Sequence, residues 1–261
     1  KEDGRVHGKV ITNGTITGRM SHQSPNMAQV PAVYSPYGKE CRGLWIVEKG
    51  YKLVGVDASG LELRMLAHYM NDKDYTNEII NGDIHTSNQV AAGLGSRDEA
   101  KTFIYAFIYG AGNKKIGTII GGSERDGERV KEKFLRATPS LRRLREKVER
   151  VAQRRWVRGL DQRKIIIRHP HAALNTLLQG AGACVMKKAL TLLQEYVINK
   201  QIKAFPVVNV HDEFQYEVQE DRADEFGRLA VQSIIDAGKQ LNVRCQLNGE
   251  YKIGNNWSET H

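Results

Sequence analysis

By residue type and setting, two aspartates stand out as candidates for chemistry. Asp57 closes the alternating apolar run "LVGVDA" at 53–58. Asp212 lies in "VVNVHDEFQ", where alternation puts Val208 and Val210 on one face going out and Phe214, Tyr216 and Val218 on one face coming back. The polar group His211-Asp212-Glu213 therefore falls at the bend. A carboxylate set among apolar residues is costly unless something pairs with it or binds it. Two carboxylates presented by adjacent strands make a hard, oxygen-rich site, and Mg²⁺ takes one or two such groups together with substrate phosphate oxygens. Two ions about 3.5–4 Å apart can activate a 3′-hydroxyl and stabilise a leaving pyrophosphate. Either aspartate alone also reads as an ordinary turn residue. A further acid, Glu62, follows Asp57 at the start of a helical pattern.

The stretch 96–110, "SRDEAKTFIYAFIYG", carries Arg97, Lys101, Tyr105 and Tyr109 four residues apart. Each step of four advances about 40° around a helix, so the side chains form one slowly winding stripe. Two cations one turn apart repel unless an anion lies between them, and the first half of a helix favours that anion. A triphosphate is such an anion, and the tyrosines offer flat faces to a base. The same pattern also describes an amphipathic helix with Phe103, Ile104 and Phe107 buried and the cations solvated. His85, in "GDIHT", is a candidate further phosphate donor or a structural histidine. Asn175 and Gln179, spaced i, i+4 in "HPHAALNTLLQGAGA", can donate to minor-groove acceptors that all base pairs share. They can equally complete hydrogen bonds at a core edge.

These side chains need a frame. Residues 1–50 are rich in Gly, Pro, Asn and Ser and read as short strands and ordered loops. A strand is expected at 51–57 and a helix at 59–71. Helical patterns recur from Asp83 to Ala111, broken near Gly93–Gly95. Ser96 and Glu99 have the spacing of a capping box, and Gly110 and Gly112 close that helix. Further helices are expected at 124–135 and from Pro139 to about Trp156, then a hairpin around Gly159–Asp161 and a long helix over 171–200. Strand, tight turn and strand follow, then a helix at 222–239 and a short final strand. The outline is α+β: mostly antiparallel strands with an all-helical insertion at about 70–165.

With 261 residues, 40% of them hydrophobic, the chain can bury a sizeable core. It contains no apolar run long enough to cross a membrane, and no membrane partner is expected. Cys41, Cys184 and Cys245 fit no metal spacing and read as reduced thiols of a cytoplasmic protein. The net charge of +9 is concentrated: residues 129–168 hold 15 Lys/Arg against 4 Asp/Glu. A polyanion, nucleic acid above all, suits that stretch, as does a simple solvated face. Beginning at Lys1, the sequence reads as a fragment or a processed product.

Taken in order, "DASGLELR", "RDEAKTFIYAFIYGAG" and "VHDE" resemble motifs A, B and C of family A DNA polymerases, and "TGRMSHQSPNMAQVP" resembles the segment before motif A. The likeness runs from about Val6 to Trp257. "DASGLELR", "GDIHT", "AKTFIY", "HAALNTLLQ" and the ending "GNNW" are similar to replicative members from T7-like phages; bacterial repair members more often read "DYSQIELR". The resemblance implies a palm at 1–69 and 166–261 and fingers at 70–165. It implies that Asp57, Asp212 and the backbone carbonyl of Ala58 bind two Mg²⁺ ions, with Mn²⁺ as an alternative, and that Glu213 participates less directly. Lys101, Arg97 and His85 would contact the phosphates of an incoming dNTP, and Lys101 would protonate pyrophosphate. Glu62 would be the steric gate against a ribose 2′-OH. Tyr105 would set acceptance of 3′-deoxy sugars, with tolerance of dideoxynucleotides implied.

For the primer–template DNA, Tyr109 would sit beside the templating base, and Arg19, Asn175, Gln179 and His211 would track the minor groove or primer end. His171 and Glu213 complete the candidate DNA set, His171 standing where bacterial members usually carry Arg. The family's thumb and exonuclease, which precede this region, have no counterpart here; either a separate N-terminal chain is a partner that supplies them or the sequence is a fragment. If the source is a phage, the compartment is the bacterial host cytoplasm. Two rival readings are a DNA-binding subunit dependent on such a chain and a single-subunit RNA polymerase. Glu62 argues against the latter, which has no use for a gate that excludes 2′-OH.

Overall fold

The computed structural model describes residues 2–261. In chain order it forms a small hairpin, β1 (Lys9–Ile11) and β2 (Ser21–Gln23), a short helix α1 (Gly38–Gly43) and the strand β3 (Tyr51–Ala58). Helices α2 (Leu61–Met70), α3 (Lys73–Asn81), α4 (Ile84–Ala92), α5 (Arg97–Ile108), α6 (Asn113–Ile119), α7 (Glu124–Ala137) and α8 (Pro139–Ala152) follow. A ribbon of β4 (Trp156–Arg158) and β5 (Lys164–Ile166) leads to the long helix α9 (Ala173–Asn199). The chain ends with β6 (Ala204–Val210), β7 (Glu213–Gln219), α10 (Ala223–Gln240) and β8 (Gly249–Gly254). Two units result: Lys1–Leu61 with Gly182–His261, and Glu62–Ala181.

The first unit is organised by a four-stranded antiparallel sheet in the order β6-β7-β3-β8. β3 is interior because its valines have no exposed face to occupy: Val54 and Val56 are fully buried. On α10, Phe226, Ala230, Ile234 and Ala237 recur at helical spacing and are all buried, the apolar stripe of a helix laid on a sheet. Tyr216 of β7 meets Phe226 with ring centroids 4.9 Å apart. β6 lies at the sheet edge, where Pro206 costs no ladder hydrogen bond, and the register shifts just after it. β7 is buried on both faces: Phe214, Tyr216 and Val218 on one, Glu213, Gln215 and Glu217 on the other.

The second unit is helical apart from the β4–β5 ribbon. α5 turns Ala100, Phe103, Ile104, Phe107 and Ile108 into its core, and Phe103 and Phe107 both meet Phe134 of α7 edge-on, at 5.2 and 5.6 Å. Ser96 caps α5 by accepting from the Glu99 N–H at 3.1 Å. The Glu99 carboxylate takes the Gly95 N–H instead of closing the expected box, while a complete box forms at Ser123 and Asp126 of α7.

Three short helices were not expected. α1, α3 and α6 have six to nine residues, too few turns for apolar periodicity to register. The unit boundaries also differ from those expected at 69/70 and 165/166. They fall at Leu61/Glu62 and Ala181/Gly182, the second inside α9. A continuous helix carries no sequence mark where its packing partners change.

Candidate active site

Asp57 and Asp212, 155 positions apart in sequence, become neighbours through strand pairing. β3 and β7 run antiparallel with Asp57 opposite Glu213, and the next backbone contact is the Ala58 N–H donating to the Asp212 carbonyl at 3.1 Å. The turn between β6 and β7 consists of His211 and Asp212 alone, with exposed His211 in the left-handed region at φ 57°. Tight connections of this kind favour residues that tolerate positive φ. Arg19, whose side chain is mostly buried, donates from Nη2 to Asp212 Oδ1 at 3.2 Å. The structure thus gathers Asp57, Ala58, Asp212, Arg19 and His211 at one end of the sheet.

Electrostatics mark this as a site short of positive charge. Packed protein around the Asp57 carboxyl and the negative charges of Asp212, Glu213 and Glu250 push its pKa up to about 7, with His261 opposing. The residue keeps an exposed surface, so the carboxylate remains open to an approaching cation. Among the described residues no three His, Cys, Asp or Glu side chains converge into a closed cage. Two crowded carboxylates fit a divalent ion that keeps positions for water and phosphate.

The second unit assembles a second group. Arg97, Lys101, Tyr105 and Tyr109 all lie on the face of α5 turned away from its core. His85, in the first turn of α4, joins them: its ring is 6.3 Å from that of Tyr105, and its pKa is lowered by burial and by the charges of Arg97 and Lys101. The Tyr109 hydroxyl donates to Glu62 Oε1 at 3.3 Å. Gly110 follows at φ +79°, and a Cβ there would lie 2.5 Å from the His171 carbonyl oxygen, so the end of α5 abuts the His171 loop. Asn175 and Gln179 are both half-buried on α9, and Asn175 Oδ1 is a buried acceptor without a hydrogen-bond partner.

Glu213 requires a correction. It was expected among the DNA contacts, but it is 6% exposed and its carboxylate faces Trp257, Gln215, His261 and Arg42. Inward alternation on a strand covered on both faces turns it into the protein and away from the surface. Sequence reasoning also passed over Asp83. It caps α4 and pairs with Arg97 at 2.6 Å, which holds its own carboxyl well below the usual range. Its place just before a helix in "GDIHT" was the available signal.

An antiparallel sheet with paired acids at one end, joined in sequence to a helical unit bearing a cationic stripe, defines the α+β palm-and-fingers architecture of right-hand polymerases. Over its whole length the chain superimposes with a TM-score of 0.90 on 49% of the "POL domain of Pol1 from M. smegmatis complex with DNA primer-template and dNTP", at 22% identity, a likeness of fold. Residues 1–259 match the model of DNA polymerase family A, and the chain belongs to that family. It is 43% identical to the DNA-directed DNA polymerases of Enterobacteria phage T3 and Escherichia phage T7, with all of this chain and 42% of each relative aligned. Thermostable DNA polymerase I of Thermus filiformis is 30% identical over 98% of this chain and 33% of its own length. The chain thus spans less than half the length of these relatives.

Proposed function

We propose that this chain carries out template-directed DNA synthesis, adding deoxynucleotides from dNTPs to a primer 3′-OH. The carrying observation is the juxtaposition of Asp57 and Asp212 through the Ala58–Asp212 backbone hydrogen bond. In the reaction the 3′-hydroxyl gives up its proton to solvent, its oxygen forms a bond to the α-phosphorus, the bond from the α-phosphorus to the bridging oxygen of the β-phosphate breaks, and pyrophosphate leaves. Asp57, Asp212 and the Ala58 carbonyl would hold Mg²⁺, or Mn²⁺ in its place. When bound, such ions lower the pKa of the attacking hydroxyl and offset charge on the departing oxygens.

The chain's own residues do the rest. Arg97, Lys101 and His85 bind and orient the triphosphate, and Lys101 delivers a proton to the pyrophosphate. Glu62, fixed by the Tyr109 hydroxyl, crowds the position of a ribose 2′-OH. Tyr105 offers its hydroxyl and ring near the sugar and admits dideoxynucleotides. Tyr109 and His171 border the templating position, while Arg19, His211, Asn175 and Gln179 follow the primer–template duplex. The palm is assigned to residues 1–69 and 166–261, which include the whole first unit, and the fingers to 70–165, which lie within the second. Phage relatives make the bacterial host cytoplasm the proposed compartment, and no helix among the described residues is long and apolar enough to cross a membrane.

Primer extension tests this. The wild-type chain should extend a primed template with dNTPs and Mg²⁺, whereas Asp57→Ala and Asp212→Ala should abolish addition and retain most DNA binding. Normal extension by both variants would remove the acid pair from the mechanism. A second reading is dependence on a further N-terminal polymerase portion, and the relatives being more than twice as long as this chain motivates testing it. Extension that appears only when that portion is added would decide for it.

A further inference from the structure

The carboxylate of Glu213 is saturated from within. Oε1 accepts from Trp257 Nε1 at 2.8 Å and from Gln215 Nε2 at 2.6 Å. Oε2 faces His261 Nδ1 at 2.9 Å and Arg42 Nη1 at 3.9 Å. A second layer ties these partners together: Thr260 donates to Gln215 Oε1 at 2.8 Å, and the Arg42 guanidinium lies over the Trp257 ring at 4.3 Å. Trp257 and Thr260 are buried, so the segment 257–261 is seated against the polar face of β7. Burial opposes ionisation of Glu213, but donation from His261, Trp257 and Gln215 more than offsets it and holds the pKa below the usual range.

An acid with both oxygens occupied inside the protein is no ligand, yet its place is singular. Glu213 stands opposite Asp57 in the strand register and next to Asp212 in sequence. The turn that carries Asp212 joins the edge strand β6 to β7 and is held on its own side by the Ala58–Asp212 backbone hydrogen bond and the Arg19–Asp212 ion pair. Three crowded acids tend to drive the ends of β3 and β7 apart. Anchoring Glu213 from behind opposes that separation.

We propose that Trp257 and His261, acting through Glu213, are positioning residues that set the spacing of the Asp57–Asp212 pair for divalent cations. The proposal rests on the assignment of that pair as the metal site. It differs from a packing role in one consequence: loosening the clasp weakens cation binding beyond any effect on folding. Groups outside the ligand set that orient it contribute in this way, and here they act from one layer further back than a direct partner.

The test uses the whole chain and Mn²⁺ alone, with free Mn²⁺ followed by EPR. Wild type should bind Mn²⁺ and Asp57→Asn should lose that binding. Trp257→Phe keeps the ring over Arg42 but removes the indole N–H, and should weaken Mn²⁺ binding about tenfold, with circular dichroism unchanged. His261→Ala should weaken it less, and His261→Gln, which restores a donor, should recover it. If Trp257→Phe fails to fold, the histidine pair decides alone. Wild-type Mn²⁺ affinity in a folded Trp257→Phe or in His261→Ala, even with a lowered melting temperature, overturns the proposal. Wild type that binds no Mn²⁺, or Asp57→Asn that binds it as well as wild type, overturns the metal-site assignment and the proposal with it.

Discussion

Replacing Gly110 with alanine strikes the junction between the cationic helix and the His171 loop, and the structure supplies its own control. Gly110 and Gly121 both have left-handed backbones, at φ +79° and +64°. A Cβ at Gly121 would meet nothing within 4 Å, whereas at Gly110 it would lie 2.5 Å from the His171 carbonyl oxygen and 3.3 Å from its carbon. An L-residue held in this region costs about 1–2 kcal/mol, a term both variants share. Only Gly110→Ala adds a clash with backbone, which cannot swing aside as a side-chain tip can. Overpacking of that kind costs about 1–3 kcal/mol more. Urea unfolding should therefore place Gly121→Ala about 1–2 kcal/mol below wild type and Gly110→Ala about 2–5 kcal/mol below it. Function should divide the pair as well. Moving the residue after Tyr109 disturbs the hydroxyl that holds Glu62, so Gly110→Ala should incorporate more ribonucleotide and Gly121→Ala should not. Equal losses of stability, or unchanged sugar selection in Gly110→Ala, would refute the packing of Gly110 on His171.

Glu62→Ala should raise rNTP incorporation at least tenfold with dNTP addition largely kept, an estimate of about 1.4 kcal/mol in discrimination; a constant rNTP/dNTP ratio in competition assays argues against the gate. In EDTA, the raised pKa of Asp57 means the folded chain holds a proton there that the unfolded chain has released. The stability it lends is full below the ordinary carboxylate range and is lost as pH climbs to about 7. Urea unfolding at a series of pH values should show that decline, and Asp212→Asn should reduce it; an unaltered profile would separate the two carboxyls. Asp83→Asn keeps a cap for α4 but removes the charge that raises the His85 pKa, so His85 should titrate lower still by NMR. An unmoved His85 titration would contradict the grouping of Asp83, Arg97 and His85.

Much of this protein is legible in its sequence because the relevant physics is local. Alternation in 53–58 specifies a strand that ends on Asp57. Fourfold spacing puts Arg97, Lys101, Tyr105 and Tyr109 on one helical face, and the apolar residues between them oblige that face to turn outward. Three polar residues between apolar arms, His211 to Glu213, locate the bend that carries Asp212, and the structure puts only the first two in the turn. Each inference needs only a backbone period and a cost of burial.

What the tertiary structure alone decided is which distant elements meet. No local rule pairs β3 with β7, and it is that register which sets Asp57 opposite Glu213 and ties Ala58 to Asp212. Alternation told which side chains of β7 share a face but not that both faces are covered, so Glu213 looked available when it is enclosed. The helical unit takes over within α9 because partners change there while the backbone does not. A period fixes orientation relative to the chain; only packing fixes what stands on the other side.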